Sequence, residues 1–413
     1  MKYRHRVLGL LSLLSVVTYL DRVCISVAGP RMQESLHIDP AGWGWVTAAF
    51  GLAYDAFESP SGALGDRIGP RKVLTRIVLW WSAFTTLTGA VSNYYALLAI
   101  RFCFGMGEAG AYPNASAVIA RWFPVTERAR ALGIVWMASQ MGGAISPLLV
   151  VPIQMRYGWR ASFYAFGFLG IIWAVVWYRW FRDSPAEKAG VSKPELAGIA
   201  HIPPRAGHGL LWKVALRSAN LWAIMAMTAS YVYTISFFQA WLHTYLVKGR
   251  GYSESELPLS ALPYLLGACA NLGGGIASDA LVRRLGLKWG RRTVGLIGLG
   301  SAACFTVATL LTEQRLSALI FLALVYSGVT FQQPTVFAVC LDIGKRYAGA
   351  VTGSMNTAGQ IGFAVSSIVF GHLVNSYASY NVPLIPMAIL LLLGALLWLK
   401  IDATRELIPD ESA

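Results

Sequence analysis

Asp21 and Arg22 stand side by side in an apolar run from Val7 to Ala28, and Asp55, Glu58, Arg101 and Glu108 recur in the runs that follow. A charge at bilayer depth costs roughly 2.5–3.5 kcal/mol on insertion scales. A chain that keeps six such charges in apolar segments is expected to use them on an ion or a polar solute. Arg22 is the better substrate ligand, because a guanidinium grips a carboxylate with two bonds. Asp21 is the better proton site. The two point about 100° apart on one helix and need not pair with each other; the alternative is that each locks to another helix. Arg101 and Glu108 are seven residues apart, two turns, and share a face. Burial raises a carboxyl's proton affinity and a nearby Arg lowers it, so this pair can either exchange a proton or stay fixed as a structural bond.

Polar groups accompany the charges. Tyr54 and Glu58 lie one turn apart on a shared face. Tyr54 can donate to an anion, whereas Glu58 repels one unless protonated or paired, and belongs either to the site or to a gate beside Pro60. Asp55 lies off that face. Gln140 interrupts a fifth run; Asn356 and Gln360, four apart, interrupt an eleventh. Each is read as a substrate contact or as an interhelical hydrogen bond, the latter being common beside small residues such as Gly353, Gly359 and Gly362. Tyr231, Tyr233, Gln239 and Trp241 default to interface or packing roles. Gln332 and Gln333 before Pro334 suggest a broken, polar patch. His243 and His372, near span ends, read as hydrogen-bonded groups and not as proton relays.

The elements that position these groups are membrane helices. The chain is 56% hydrophobic and 13% charged, with a mean hydropathy of +0.53; soluble domains carry about 25% charged residues. Its 413 residues suffice for about twelve spans of roughly 20 residues. Apolar runs fall near 7–28, 43–65, 73–92, 95–120, 131–153, 160–180, 217–246, 258–278, 293–312, 316–341, 350–374 and 383–400. The first is too long and too charged for a signal peptide and reads as a retained helix. Cys24, Cys103, Cys269, Cys304 and Cys340 show no metal or disulfide spacing and read as small core residues.

The net charge of +14 is a topology signal. Lys and Arg crowd the loops on the side of both termini, and only Arg31, Arg156, Arg160, Lys248, Arg250 and Arg315 fall on the other side. Positive loops stay inside, so both termini are expected in the cytoplasm. No basic surface is left over for nucleic acid. The polar segment from Phe181 on, rich in Pro and Gly, reads as a linker between two six-helix halves. Residues 1–180 form the first bundle, 181–216 the cytoplasmic linker, 217–402 the second bundle and 403–413 a tail. The halves echo one another: Gly62 to Lys72, with Asp66, Arg67 and Arg71, is matched half a chain later by Gly275 to Asp279 and the basic cluster Arg283 to Arg292.

Gly62-Ala-Leu-Gly-Asp66-Arg67-Ile-Gly-Pro-Arg71-Lys72 resembles the signature loop of the major facilitator superfamily, and Arg101-x-x-x-Gly105-x-Gly107 fits it too. Tyr19-Leu-Asp21-Arg22, Tyr54 with Pro60, Gly107-Glu108-Ala109 with Pro113, Trp122-Phe123-Pro124 with Glu127-Arg128, and Gly158-Trp159-Arg160 are together similar to the anion:cation symporter family. That family includes bacterial hexuronate, glucarate and galactonate transporters, animal sialin and the vesicular glutamate transporters. Glu58 and Asp55 depart from it: Gln is usual at the first position in galactonate-transporter-like members and a small neutral residue at the second.

The resemblance implies an all-α membrane protein of twelve transmembrane helices in two bundles, with a site between them near the midplane. It implies import of a small organic anion, most plausibly a sugar acid, with protons as the coupling ion and no cofactor or metal. Asp21 and Glu108 would carry protons. Arg22, Tyr54, Arg101, Gln140, Asn356 and Gln360 would line the substrate site, with Gln140 and Asn356 meeting sugar hydroxyls. Asp66, Arg67, Arg71, Arg128, Asp279 and Glu58 would form gates; Asp66 either caps a helix N-terminus or pairs with Arg128. The expected partners are the anion and the lipid bilayer, with no nucleic acid; the protein is expected to be a monomer in the inner membrane. The rivals are an anion exchanger, a sodium-coupled carrier and, more distantly, a non-transporting sensor. No Ser/His/Asp or His-rich arrangement in the spans suggests an enzyme.

Overall fold

The computed structural model describes residues 3–188, 190–192, 196, 217–344 and 348–407, with the backbone alone at 59, 62, 63, 66, 125, 126, 129 and 348–350. Every long regular element among them is helical. Two compact units divide the chain: Met1–Ile38 with Trp45–Ala206, and Asp39–Gly44 with Gly207–Ala413. Seven helical stretches are long and apolar enough to cross a membrane by length and composition.

The first unit is built from α1 (Tyr3–Ser35), α2 (Pro40–Ile68), α3 (Pro70–Thr88), α4 (Tyr94–Glu108), α5 (Ala111–Trp122), α6 (Val125–Tyr157) and α7 (Trp159–Trp180). The run at 95–120, expected as one helix, is two. The break follows from local chemistry. Gly110 takes a left-handed φ of 87°, open to glycine at little cost. Pro113 sits in the first turn of α5, where its missing N–H costs nothing. A Cβ at Gly110 would also strike the Ser61 side chain of α2. Asn114 braces the break by donating to the Gly110 and Ser61 carbonyls at 2.8 and 3.3 Å.

Small residues set how closely these helices approach, as is usual in lipid. Gly142 of α6 lies against the Val16 carbonyl of α1, and one turn on Ser146 donates to the Leu20 carbonyl at 3.2 Å. Gly105 of α4 lies against the Phe50 carbonyl of α2. These contacts fix α1 against α6, beside the stretch that holds Asp21 and Arg22, and α4 against α2.

The second unit contains α8 (Ala219–Ser236), α9 (Ala261–Leu311), α10 (Arg315–Gly344), α11 (Ala348–Tyr377) and α12 (Leu384–Leu397). Wide π turns at Phe237–Trp241 and Tyr245–Gly249 extend α8. The polar stretch between the runs at 258–278 and 293–312 holds the turn that divides two helices, which extend into it from both sides as far as Gly286. The 51 residues of α9 would run about 76 Å if straight, against a bilayer core of roughly 30 Å. They turn at Gly286, whose φ of 75° is the one non-helical position, and Gly290 is pressed against the Val282 backbone.

The break expected at Pro334 does not occur. Proline there leaves the carbonyl four residues earlier without its helical donor. Asn271 of α9 supplies one, its amide reaching the Thr330 carbonyl at 3.4 Å and Gln333 Oε1 at 3.2 Å. Of the expected linker, a short 3₁₀ turn at Pro185–Glu187 is seen; residues 193–195 and 197–216 lie outside the described residues. So do 408–413 of the expected tail. The preceding segment straps across the unit: Leu407 N–H donates to the Ile343 carbonyl at 2.9 Å, and Arg292 donates to the Ile401 carbonyl at 2.8 Å.

Candidate functional site

The first unit brings five of the expected residues together: Asp21, Arg22, Tyr54, Arg101 and Glu108. Arg22 Nε donates to Glu108 Oε1 at 2.5 Å, across 86 positions of sequence. Helical spacing suggested Arg101 as the partner of Glu108; in the fold the long Arg22 side chain of α1 reaches Glu108 instead. The Arg22 guanidinium is ringed by aromatic faces, 4.8 Å from the Tyr54 centroid, 5.1 Å from Phe50 and 5.6 Å from Tyr19. Arg101 lies over Phe104 at 4.6 Å and Phe50 at 5.1 Å, within electrostatic reach of Asp21, Arg22 and Glu108. Arg22 and Arg101 thus share the Phe50 ring, a cation–π arrangement that holds two like charges apart on one apolar plate.

The cluster is buried and incomplete. Asp21, Arg101 and Glu108 are 3%, 4% and 1% exposed. Both Asp21 carboxyl oxygens, Arg22 Nη2, Arg101 Nε and Glu108 Oε2 have no hydrogen-bond partner among the described residues. An unmet charge in low dielectric is costly, and a buried ion pair does little for stability. Groups kept at that cost inside a membrane protein are functional by default. The alternative that each locks to another helix is met for Arg22 alone, whose bond to Glu108 runs from α1 to α4.

Three residues that sequence reasoning did not select complete this wall. Tyr112 stacks on Trp136 at 4.5 Å with parallel rings, and its hydroxyl is 2.9 Å from Ser139 Oγ. Tyr112 also lies in electrostatic reach of Arg22. The available signal was its place one turn beyond Glu108, just past the Gly110 break. Gln140, next to Ser139, is buried. Glu58 is half-buried, within electrostatic reach of Arg22 and Asp55. A separate cavity of about 360 Å³, lined by Phe57, Leu64, Arg76, Trp80 and Met106 among others, holds none of these buried charges.

In the second unit Asn356 and Gln360 are half-buried on α11 and make no hydrogen bond to other described residues. Gln332, wholly buried, leaves both amide atoms without a partner. His243 is buried and bonded to Ser260 Oγ at 2.8 Å; exposed His372 donates to the Ile368 carbonyl at 3.0 Å. Both behave as hydrogen-bonded groups.

The expected gate residues make mostly local bonds. Arg128 donates to the Ala120 and Phe123 carbonyls at 2.6 and 3.0 Å, capping the C-terminus of α5, where a cation is favoured. The Asp66 side chain lies outside the described residues. Arg67 is exposed. Arg71 donates to the Tyr178 carbonyl at 2.9 Å through Nε, and its N–H donates to Asp183 at 2.8 Å. Asp279 lies 3.7 Å from Arg291, which also meets Asp342 at 3.2 Å and Ser278 Oγ at 2.7 Å.

Known proteins place this arrangement. The probable sulfoacetate transporter SauU of Cupriavidus necator is 33% identical over 419 residues, covering 100% of this chain and 97% of that one. The hexuronate transporter of Bacillus subtilis is 31% identical over 376 residues, 87% of this chain and 86% of that one. Among solved structures, a bacterial homologue of the human lysosomal transporter Spinster, inward-facing and unoccupied, superposes with a TM-score of 0.77 at 19% identity and covers 97% of both chains. The model of the Major Facilitator Superfamily matches residues 11–367. With its apolar helices and buried charge cluster, the chain is a multi-pass membrane protein and belongs to the Major Facilitator Superfamily.

Proposed function

We propose that the protein imports a small organic anion, of the sugar-acid type, together with protons. The observation that carries this reading is the buried Arg22–Glu108 pair beside an unpartnered Asp21. As a carboxylate, Glu108 occupies the guanidinium that an incoming anion needs. Protonation of Glu108 releases Arg22, and protonation of Asp21 removes a second negative charge from the anion's path. The substrate carboxylate then takes the bidentate place on Arg22, with Tyr54 and Gln140 beside it and Arg101 behind. Asn356 and Gln360 add hydroxyl contacts from the second unit. Release of the anion lets both acids deprotonate and restores the Arg22–Glu108 bond. Relatives named for sulfoacetate, hexuronate and L-galactonate support an anionic cargo.

On this reading the helices make twelve spans, with both termini in the cytoplasm of an inner membrane. The halves are residues 1–180 and 217–402, joined by 181–216, and transport proceeds by alternating access. Asp66, Arg67, Arg71, Arg128, Asp279 and Glu58 serve the gates. The protein works as a monomer, without cofactor or metal and without nucleic acid. The test is internal pH in sealed proteoliposomes carrying a trapped dye. Addition of gluconate, glucuronate or galactonate outside is expected to acidify the interior. No acidification with any of them would contradict proton symport of sugar acids.

A further inference from the structure

The cavity of about 360 Å³ between α2, α3 and α4 takes no part in the transport scheme above. Its size is that of a small-molecule site, about 300–1,000 Å³. The wall is apolar, with Phe57 and Leu64 from α2, Trp80 from α3 and Met106 from α4, and one cation, Arg76, stands on it. It reaches the surface beside Phe57 and Trp80, which are 36% and 41% exposed. An apolar cavity stays dry, and leaving it empty forfeits packing contacts along its lining. The occupant these walls favour is an amphiphile, apolar in the cavity and negative at Arg76.

One face of α3 has the polarity of that occupant. Lys72, Arg76 and Trp80 follow one another at four-residue spacing, about 6 Å per step, from the start of the helix inward. Lys72 and Arg76 are exposed and make no hydrogen bond or ion pair with described residues. Arg71, next to them, is satisfied within the protein by the Tyr178 carbonyl and ring. Trp80 is fixed in place: its indole N–H donates to the Cys103 carbonyl at 2.9 Å, and its ring lies against Gly107, where a Cβ would overlap it. On the topology proposed above this end of α3 is cytoplasmic. The two free cations then stand near headgroup depth, and Trp80 lies roughly 15 Å along the axis from Pro70.

We propose that the cavity binds an anionic phospholipid of the cytoplasmic leaflet, its phosphate on Arg76 and Lys72 and one acyl chain along Trp80 between α2 and α4. Basic groups beside membrane helices attract anionic headgroups, and the cavity gives the chain a fixed place. The bound chain bears on the charge cluster. Gly107, on the cavity wall, precedes Glu108, and Ser61, also on the wall, is what a Cβ at Gly110 would strike. A filled cavity supports α4 at the residue that pairs with Arg22, so the lipid is expected to activate transport. The leaflet and the effect on uptake rest on the reading above; the binding rests on the geometry of the first unit.

The test is photolabelling of the full chain in phosphatidylcholine vesicles doped with phosphatidylglycerol that carries a diazirine on one acyl chain, the labelled peptides being read by mass spectrometry. Labelling is expected at Leu64, Trp80 or Met106, and unlabelled phosphatidylglycerol should compete it. Arg76→Gln should weaken it about fivefold, and Arg76→Lys should keep it. Met106→Trp, which fills the cavity, should abolish it with Arg76 intact. Gluconate uptake should rise with phosphatidylglycerol content in wild type and not in Arg76→Gln. Should Arg76→Gln fail to fold, Met106→Trp and the competition still decide. Labelling spread evenly over the outward helices, or unchanged in Arg76→Gln, overturns the site. Equal competition by dodecyl phosphate overturns the phospholipid in favour of a single-chain amphiphile. Specific labelling with uptake indifferent to phosphatidylglycerol overturns the activating role. Specific labelling with no uptake of any acid supports the lipid site and contradicts the transport reading.

Discussion

The two units treat charge in opposite ways. In the second, several ionic groups among the described residues sit at helix ends or near the Gly286 turn and are bonded there. Arg250 donates to the Tyr245 hydroxyl and to the Thr309 and Thr312 carbonyls. Arg291 meets two acids and a hydroxyl. Lys288 holds Asp402 at 2.8 Å. In the first unit, six charges lie midspan, and four of them keep buried atoms without a hydrogen-bond partner. Saturated charge at the ends builds the fold; unsaturated charge at depth marks the place where something else must bind.

Arg22→Ala tests this contrast most strongly. It leaves Glu108 buried and unpaired, a loss of about 3–5 kcal/mol when one partner of such a pair is removed. The variant is expected to lose uptake and to unfold at lower temperature in detergent. Arg22→Lys should restore stability in part but not uptake, because an ammonium lacks the two-pronged geometry. Full transport by Arg22→Ala would break the contrast.

Gln332 sharpens it from the other side, being a wholly buried amide of the second unit with no partner among the described residues. If it is only a packing compromise, Gln332→Leu removes an orphaned polar group and should stabilise the protein by about 1 kcal/mol with transport intact. Loss of transport would give the second unit a buried functional polar group of its own.

The smallest effect is expected at Asp402, in the strap after α12. Burial pushes its carboxyl up, but hydrogen bonds from Lys288 and Thr404 outweigh this and hold it at about 2. Its folded-state value is therefore depressed, so its contribution is present above the unfolded value, about 3.9, and fades as pH falls toward 2. Asp402→Asn should cost about 1 kcal/mol or less near neutral pH. Thermal melts of variant and wild type should converge below about pH 3. An equal gap at pH 3 and pH 7 would show that the strap works through packing.

Hydropathy and Lys/Arg placement made the helical membrane architecture legible, since lipid admits few alternatives for backbone groups. The breaks were harder. Apolar residues flank Ala109-Gly110 on both sides, so one run hid two helices, while the polar stretch from Asp279 to Arg292 hid how far the helices on either side of Gly286 extend. Pro334 misled because the donor that satisfies its helix, Asn271, lies on another element. The same limit applied at the site. Spacing along one helix named Arg101 and Glu108 as neighbours but could not see that Arg22, 86 residues away, would arrive first. Tyr112 stayed unnoticed because the break that presents it was unnoticed.

The central claim is that Glu108 couples protons to the anion through Arg22. The direct measurement is the steady-state ratio of substrate inside to outside proteoliposomes under a fixed inward proton gradient, compared between wild type and Glu108→Gln. The account predicts accumulation by wild type and a ratio near one for the variant, with substrate–substrate exchange retained. Accumulation by Glu108→Gln equal to wild type would contradict it.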